Sequence, residues 1–304
     1  MGKNFIRELA KAAFMQSLRD VRDETVVALD MLRVLGRLPD LAAPRLFTDK
    51  IQHYKLFWRD DRLPMMVDKL LVKAHVARVL GPQWVTPTLW SGARLTEAIL
   101  CRIDAPAVIK SNHASGKVLF LRAGSDRARL ARTANAWLNY DYHLLHREWA
   151  YAKVLRRLLI EPDLALRGLT DYKFWVFDGK VRLIQVDFDR FTRHKRQFYD
   201  ATWRRLDLQL KYPGGIWSLH RPRNLDAMLA AAERLADDLP FVRVDLYDRD
   251  EGPRFGEMTF WPEAGLCSFR PRRSDSELGA LWSYPGVRQS ARTPAQEVAA
   301  EQAR

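Results

Sequence analysis

The sequence predicts an α+β fold, and three observations carry the prediction. Several segments alternate in side-chain character with the period of two expected of strands, and they are separated by turn residues. Other segments carry apolar residues at helical spacing. The chain of 304 residues, 47% hydrophobic and 29% charged, has an ordinary globular composition and is long enough for one large domain or two closely packed ones.

The N-terminal part is helical in pattern. Across residues 3–36, Phe5, Leu9, Phe14, Leu18 and Val21 recur at helical spacing, followed by Val26, Leu29, Leu32 and Leu35. The first helix is basic and amphipathic, which allows peripheral contact with a membrane surface. Packing onto the body of the protein is the commoner outcome for such a face. Gly36 to Pro44 reads as a loop and residues 45–62 as another short helix. A helix opens at Asp68-Lys69, with Asp68 as its cap, runs through Val79 and stops at Gly81-Pro82. Val85 to Trp90 reads as a short strand and Leu95 to Leu100 as a helical turn.

Ala107 to Lys110 is a short apolar strand ending in lysine, followed by Ser111-Asn-His-Ala-Ser-Gly-Lys117 and a second strand, Val118 to Arg122. Small residues between two strands let backbone N–H groups approach an anion, so this hairpin suits a phosphate-cradling flap. The Gly-Lys-Ser/Thr spacing of a P-loop is absent. Residues 126–158 read as a long helical region, packed through Trp137, Tyr140, Tyr142, Leu145, Trp149 and Leu155. His143 and His146 lie three apart, but a lone helical pair is more often ordinary surface or core, and they are assigned no metal.

Leu158 to Glu161 reads as a strand. Asp171 to Phe177 and Lys180 to Asp187 form a hairpin about Asp178-Gly179. Lys173 lies on one face of a well-packed strand and needs an anionic partner, either phosphate or an acid such as Asp187. Arg190 to Arg196 is a dense cationic stretch, and its place after Asp187 and Asp189 favours substrate or phosphate contact over a solvated loop. Tyr212 to Gly215 is a loop and Asn224 to Leu239 a helix.

A second hairpin runs from Phe241 to Pro262. Alternation places Arg243 and Asp245 on one face of its first strand, and Glu257 and Thr259 on one face of its second. If the strands pair across the turn, the four side chains converge. Two carboxylates beside an arginine on a rigid sheet can hold Mg²⁺ against a polyphosphate. The flanking Phe241, Phe255, Phe260 and Trp261 argue that the hairpin enters a core, where an acid needs a cation or a hydrogen-bond partner.

The net charge of +13 favours anionic partners. The arginines are dispersed among apolar residues without a nucleic-acid motif, which argues against nucleic acid. Cys101 and Cys267 have no metal-like spacing and read as free thiols of a cytoplasmic protein. No apolar run is long enough to span a bilayer, and the N-terminus lacks a signal-peptide pattern.

The ordered set Asp68-Lys69, Val108-Ile-Lys110 with Asn112-His-Ala-Ser-Gly116, Glu161, Asp171-Tyr-Lys-Phe174, Gln185 to Arg190, Arg243-Val-Asp245 and Gly256-Glu-Met-Thr259 resembles the ATP-grasp superfamily. More closely, it resembles the TupA-like branch, associated with teichuronopeptide and surface-polysaccharide biosynthesis. The resemblance implies an ATP-grasp fold, in which two α+β subdomains clamp a nucleotide, here with an N-terminal helical extension. The resemblance covers roughly residues 40–280; together with the patterning outside it, the chain divides into an N-terminal helical segment (1–62), a linker and N-terminal α/β part (63–106), a first subdomain with the phosphate loop (107–165), a second with the Mg²⁺ site (166–285) and a polar, mobile tail (286–304).

The resemblance also implies roles. Lys69 and Lys110 look like the family's phosphate lysines, and Asn112, His113, Ser115 and Gly116 like the loop that closes over the phosphates. Glu161, with the backbone near Leu164, resembles the hinge that reads adenine. Asp245 and Glu257 resemble the Mg²⁺ ligands, and Arg243 the phosphate-side arginine. Thr259 stands where many ATP-grasp ligases carry an asparagine ligand. Lys173 and Arg190 are further candidates for the chemistry. The implied reaction is ATP-dependent amide formation between a carboxylate and an amine on a polysaccharide precursor, a sugar acid or an amino-acid-like small molecule. A kinase is the nearest alternative, and glycosyl transfer, suggested by Asp187-Phe-Asp189, ranks below it because it leaves Lys110 and Glu257 without roles.

Overall fold

The computed structural model describes residues 3–104, 106–164, 170–188, 194–215 and 218–283. Arg190 and the tail expected at 286–304 lie outside the described residues. Three helices come first: α1 (Lys3–Ser17), α2 (Asp23–Leu35) and α3 (Phe47–Phe57). The short α4 (Leu63–Val67) then leads into α5 (Leu71–Leu80). Asp68 Oδ1 accepts from Leu70 N at 2.8 Å and Leu71 N at 3.3 Å, closing a turn ahead of α5, which begins at Leu71 and not at the expected Asp68-Lys69.

The smaller sheet is antiparallel and has the order β1 (Trp90–Gly92), β4 (Leu158–Pro162), β2 (Ala107–Ser111), β3 (Val118–Leu121). Its two faces differ in chemistry. Ala107, Ile109, Leu121, Leu158 and Ile160 share a core with α6 (Glu97–Cys101), α7 (Arg127–Trp137) and Met15 of α1. The other face, set by the pairs Val108↔Glu161 and Lys110↔Leu159, carries Lys110 and Glu161. The N-terminal helix is therefore built into the smaller core.

The larger sheet, also antiparallel, has the order β11 (Arg254–Thr259), β10 (Phe241–Tyr247), β5 (Asp171–Phe177), β6 (Lys180–Phe188), β7 (Lys195–Tyr199), β8 (Arg205–Leu206). A two-stranded pair joins β9 (Gln209–Leu210) to β12 (Phe269–Arg270), and α10 (Ser274–Ala280) follows. Asp178 and Gly179 both adopt positive φ (47° and 74°) between β5 and β6, the backbone that a two-residue hairpin turn requires. The helix α9 (Leu225–Ala236) covers β10, β5 and β6. The opposite face is aromatic at one end, where Phe47 of α3 meets Trp175 at 5.3 Å and Phe241 at 5.4 Å between ring centroids. Further along the same strands that face is charged.

Three expectations need correction. Val85 to Trp90 is not a strand; pairing begins at Trp90 and continues to Gly92. The long helical region at 126–158 is broken into α7, α8 (Tyr142–His146) and a 3₁₀ turn at Trp149–Lys153. Arg147 ends α8 at φ 59°, and its guanidinium donates to the carbonyls of Leu18 and Val21, so a tertiary contact stops the helix. Arg196, expected with its stretch to contact substrate or phosphate, is instead buried in β7, 4% exposed and paired through Nε with Asp187 at 2.6 Å.

Candidate active site between the sheets

The charged end of the larger sheet is built by register. β10 pairs with β11 so that Asp245 faces Glu257 and Arg243 faces Thr259, and β5 brings Lys173 beside Asp245. The convergence expected of the hairpin is present. A Cβ at Gly256 would lie 3.0 Å from the Asp245 carbonyl and 3.2 Å from the Tyr247 ring, so glycine permits the close approach of the two strands.

Asp245 and Glu257 are held very differently. The Asp245 side chain is 2% exposed; its oxygens accept from Arg243 Nε at 2.7 Å, Arg243 Nη2 at 2.8 Å and Lys173 Nζ at 2.5 Å. Lys173 also donates to Asp171 at 2.6 Å, so its partners are Asp171 and Asp245, not Asp187. Glu257 keeps 35% of its side chain exposed and is held loosely, 3.5 Å from Arg243 and 3.9 Å from Lys69. Desolvation opposes its charge, but Lys69, Arg243, Lys173 and Lys110 outweigh that and bring its pKa down to about 2. Thr259 Oγ1 accepts from Arg243 at 3.1 Å.

On the smaller sheet, Glu161 is buried and bridges two lysines. Lys110 Nζ donates to one oxygen at 2.7 Å and Lys73 to the other. Burial opposes the charge of Glu161, yet Lys110 and Lys73 hold its carboxyl below the usual range. Lys69 links the two sheets: its Nζ donates to the Ala114 carbonyl in the flap at 3.0 Å and faces Glu257.

The flap has a fixed stem and a small tip. Asn112 is fully buried and donates to Asp68 at 3.0 Å and the Leu155 carbonyl at 2.9 Å, while accepting from Arg157 N at 2.8 Å. His113 is 1% exposed, contacts Ser111 Oγ at 2.9 Å and has its pKa pushed down to about 4 by burial, then by Arg156 and Lys69. These two side chains, expected in the loop that closes over the phosphates, face inward instead: Asn112 is tied to Asp68 and to the 155–157 segment, and His113 lies against Arg156 and the backbone of Trp137 and Tyr140. Ser115 and Gly116 form the exposed tip, with Gly116 at φ +68° and Ser115 hydrogen-bonded to Tyr142. The Leu164 carbonyl accepts from Arg249 at 3.1 Å, which ties the segment after β4 to the larger sheet.

Three charged residues near the cleft escape sequence reasoning. Lys73 carries only the signal of lying one helical turn from Lys69. Lys55 is 2% exposed and donates to the Ala264 carbonyl at 3.0 Å, with its pKa brought down to about 8 by burial against the pull of Glu148. Glu148 is 6% exposed, and burial pushes its pKa up to about 7 against Lys55 and His146.

The cleft thus offers Lys69, Lys110 and Arg243 to a polyanion, and one exposed carboxylate beside a hydroxyl to a cation. Among the described residues no three His, Cys, Asp or Glu side chains gather as a self-sufficient metal site. That donor set still suits Mg²⁺, which is commonly held by one or two carboxylates together with substrate phosphates and water.

The sequence model of a family described as TupA-like ATPgrasp matches residues 49–283. Among solved structures, the chain is similar to a D-alanine–D-alanine ligase from Bacillus anthracis, with 20% identity, a TM-score of 0.39 and coverage of 64% of this chain and 57% of that one. It is also similar to the ATP-grasp ligase PsnB complexed with minimal precursor (12% identity, TM-score 0.41, 73% of this chain and 60% of that one). A third is the ADP complex of purK, an N5-carboxyaminoimidazole ribonucleotide synthetase (15% identity, TM-score 0.41, 64% and 45%). The chain spans 57% and 60% of the length of the first two. No curated protein sequence matches it.

Proposed function

The chain belongs to the TupA-like ATP-grasp family, and from that premise we propose that it is an ATP- and Mg²⁺-dependent ligase that joins a carboxylate to an amine through an acylphosphate. The acid and amine are sought among polysaccharide precursors, sugar acids and amino-acid-like small molecules. The observation that carries the reading is the meeting of Lys69, Glu257 and Arg243 across the cleft, opposite the Lys110–Glu161 pair.

In this reading the triphosphate lies between Lys69 and Lys110 on one side and Arg243 on the other, with adenine at Glu161 and the backbone near Leu164. The substrate carboxylate attacks the γ-phosphorus and ADP leaves. The resulting acylphosphate is attacked by the amine, and inorganic phosphate is released. The first step brings anions together, so fixed cations that face the transferring phosphoryl lower the barrier by several kcal/mol without a protein nucleophile. Arg243 is pre-aimed for that role by its two bonds to Asp245. Lys173 acts through Asp245, and Arg190 is assigned to substrate or phosphate contact on sequence grounds. Glu257 and Thr259 would hold Mg²⁺, which when bound neutralises phosphate charge, whereas Asp245, expected as a second carboxylate ligand, has both oxygens taken by Arg243 and Lys173 and would support the site from behind. The exposed tip of the flap, Ser115-Gly116, closes over the phosphates and excludes water from the acylphosphate.

The test is a coupled assay for ADP and inorganic phosphate with a panel of acids and amines. Release of both products only when acid and amine are present together is the expected result. ADP formed without inorganic phosphate, with a stable phosphorylated acceptor, would replace the ligase by a kinase.

A further inference from the structure

Glu161 has two lysine partners, and they are not equivalent. Lys73 Nζ has three N–H donors and three acceptors: the Glu161 carboxylate, the Thr86 carbonyl at 2.9 Å and Thr88 Oγ1 at 2.6 Å. Its side chain is 15% exposed. Lys110 is 27% exposed and, among the described residues, donates to Glu161 alone, at 2.7 Å. One lysine is saturated and fixed; the other has donors to spare and faces the cleft.

The inference rests on the nucleotide reading, in which Lys110 turns to the triphosphate. A carboxylate as buried as Glu161, 8% exposed in its side chain, is costly to leave without a counter-ion. If Lys110 were its only partner, every departure of Lys110 toward phosphate would strand that charge. We propose that Lys73 is the standing counter-ion of Glu161, a positioning residue that frees Lys110 to bind the nucleotide phosphates. Lys73 also keeps the Glu161 carboxylate ionised and aimed while Lys110 moves. Its anchors at Thr86 and Thr88 lie between α5 and β1, outside the two sheets' charged clusters, so it does not follow Lys110 into the cleft.

The test is a double-mutant cycle on Mg-ATP affinity, measured by calorimetry on the full chain. Lys110→Met in the wild-type background should weaken Mg-ATP by about tenfold or more. With Lys73→Met, the remaining Lys110 is pinned to Glu161. That variant should itself bind Mg-ATP at least ~10-fold more weakly, and adding Lys110→Met to it should cost less than about threefold. A purely structural Lys73 predicts that the two losses multiply instead. The pair Lys73→Met with Glu161→Gln removes both buried charges, so it guards against misfolding; in that background the full Lys110→Met penalty should return. Multiplying losses, or a Lys73→Met variant with wild-type affinity, would overturn the proposal. A wild-type chain that does not bind Mg-ATP would instead bring down the nucleotide reading on which it rests.

Discussion

The two charged clusters face the same cleft but divide their charge in opposite ways. On the smaller sheet one buried carboxylate, Glu161, has two lysines, of which Lys110 retains free donors. On the larger sheet a buried carboxylate, Asp245, is closed on both oxygens by Arg243 and Lys173, and its neighbour Glu257, which stays loose, is the more exposed. In the first cluster the cation is the movable part; in the second it is the anion. The difference teaches which charges are scaffold and which are poised for chemistry: a saturated, buried pair fixes geometry, whereas a group held at 3.5–3.9 Å can exchange its partner for a ligand.

Asp245→Asn breaks the comparison most severely. It leaves Arg243 and Lys173 buried with one carboxylate fewer between them, and should destabilise the fold by about 3–5 kcal/mol in urea unfolding. Wild-type stability in that variant would mean that Asp245 is no keystone of the larger sheet. Glu257→Gln is the sharper half of the pair. It should change stability by less than about 1 kcal/mol, because a third of the side chain is exposed, yet lower turnover by roughly a hundredfold or more through loss of the metal-facing oxygen. Steady-state ADP release on a folded variant, checked against its unfolding midpoint, separates the two effects.

The larger cluster was the more legible in sequence, for a physical reason. A hairpin is local, so alternation at 241–247 and 254–259 was enough to bring Arg243, Asp245, Glu257 and Thr259 to one face. Lys173 was legible as a buried lysine, but its partners required the β5–β10 register, which no local pattern sets. On the smaller sheet the contact that decides matters, Lys73 with Glu161, joins a helix to a strand far along the chain and leaves no periodicity to read. The same limit hid Lys55 and Glu148. The charge run at 190–196 suggests anion contact and gives no hint that a strand buries Arg196 against Asp187.

A third test exploits the anion that stays loose. If Mg²⁺ takes the exposed Glu257 carboxylate and the Thr259 hydroxyl as proposed, it needs the nucleotide to complete its ligand set, since no three-ligand cluster gathers among the described residues. Magnesium chloride alone should leave the melting temperature nearly unchanged. Mg-ATP at about 100 times its Kd should add ~2.7 kcal/mol of stability. A large shift with Mg²⁺ alone would point to a preformed metal site and undo the distinction between the clusters.

The smallest effect concerns His113 in the stem of the flap. Its imidazole titrates near pH 6.5 in an unfolded chain but only near 4 in the fold, because burial first, and then Arg156 and Lys69, disfavour the cation. Between those values the unfolded state binds more protons than the folded one. Stability should therefore rise as pH increases from about 4 to about 6.5 and then level off, a contribution of up to a few kcal/mol. His113→Gln should flatten that limb in urea titrations at successive pH values. The same neutrality predicts that Mg-ATP affinity owes nothing to a charge on His113. If the residue instead met phosphate as a cation, affinity would climb on acidification through this window in the wild type and not in His113→Gln, and the stem of the flap would have to be counted with the movable cations of the smaller sheet.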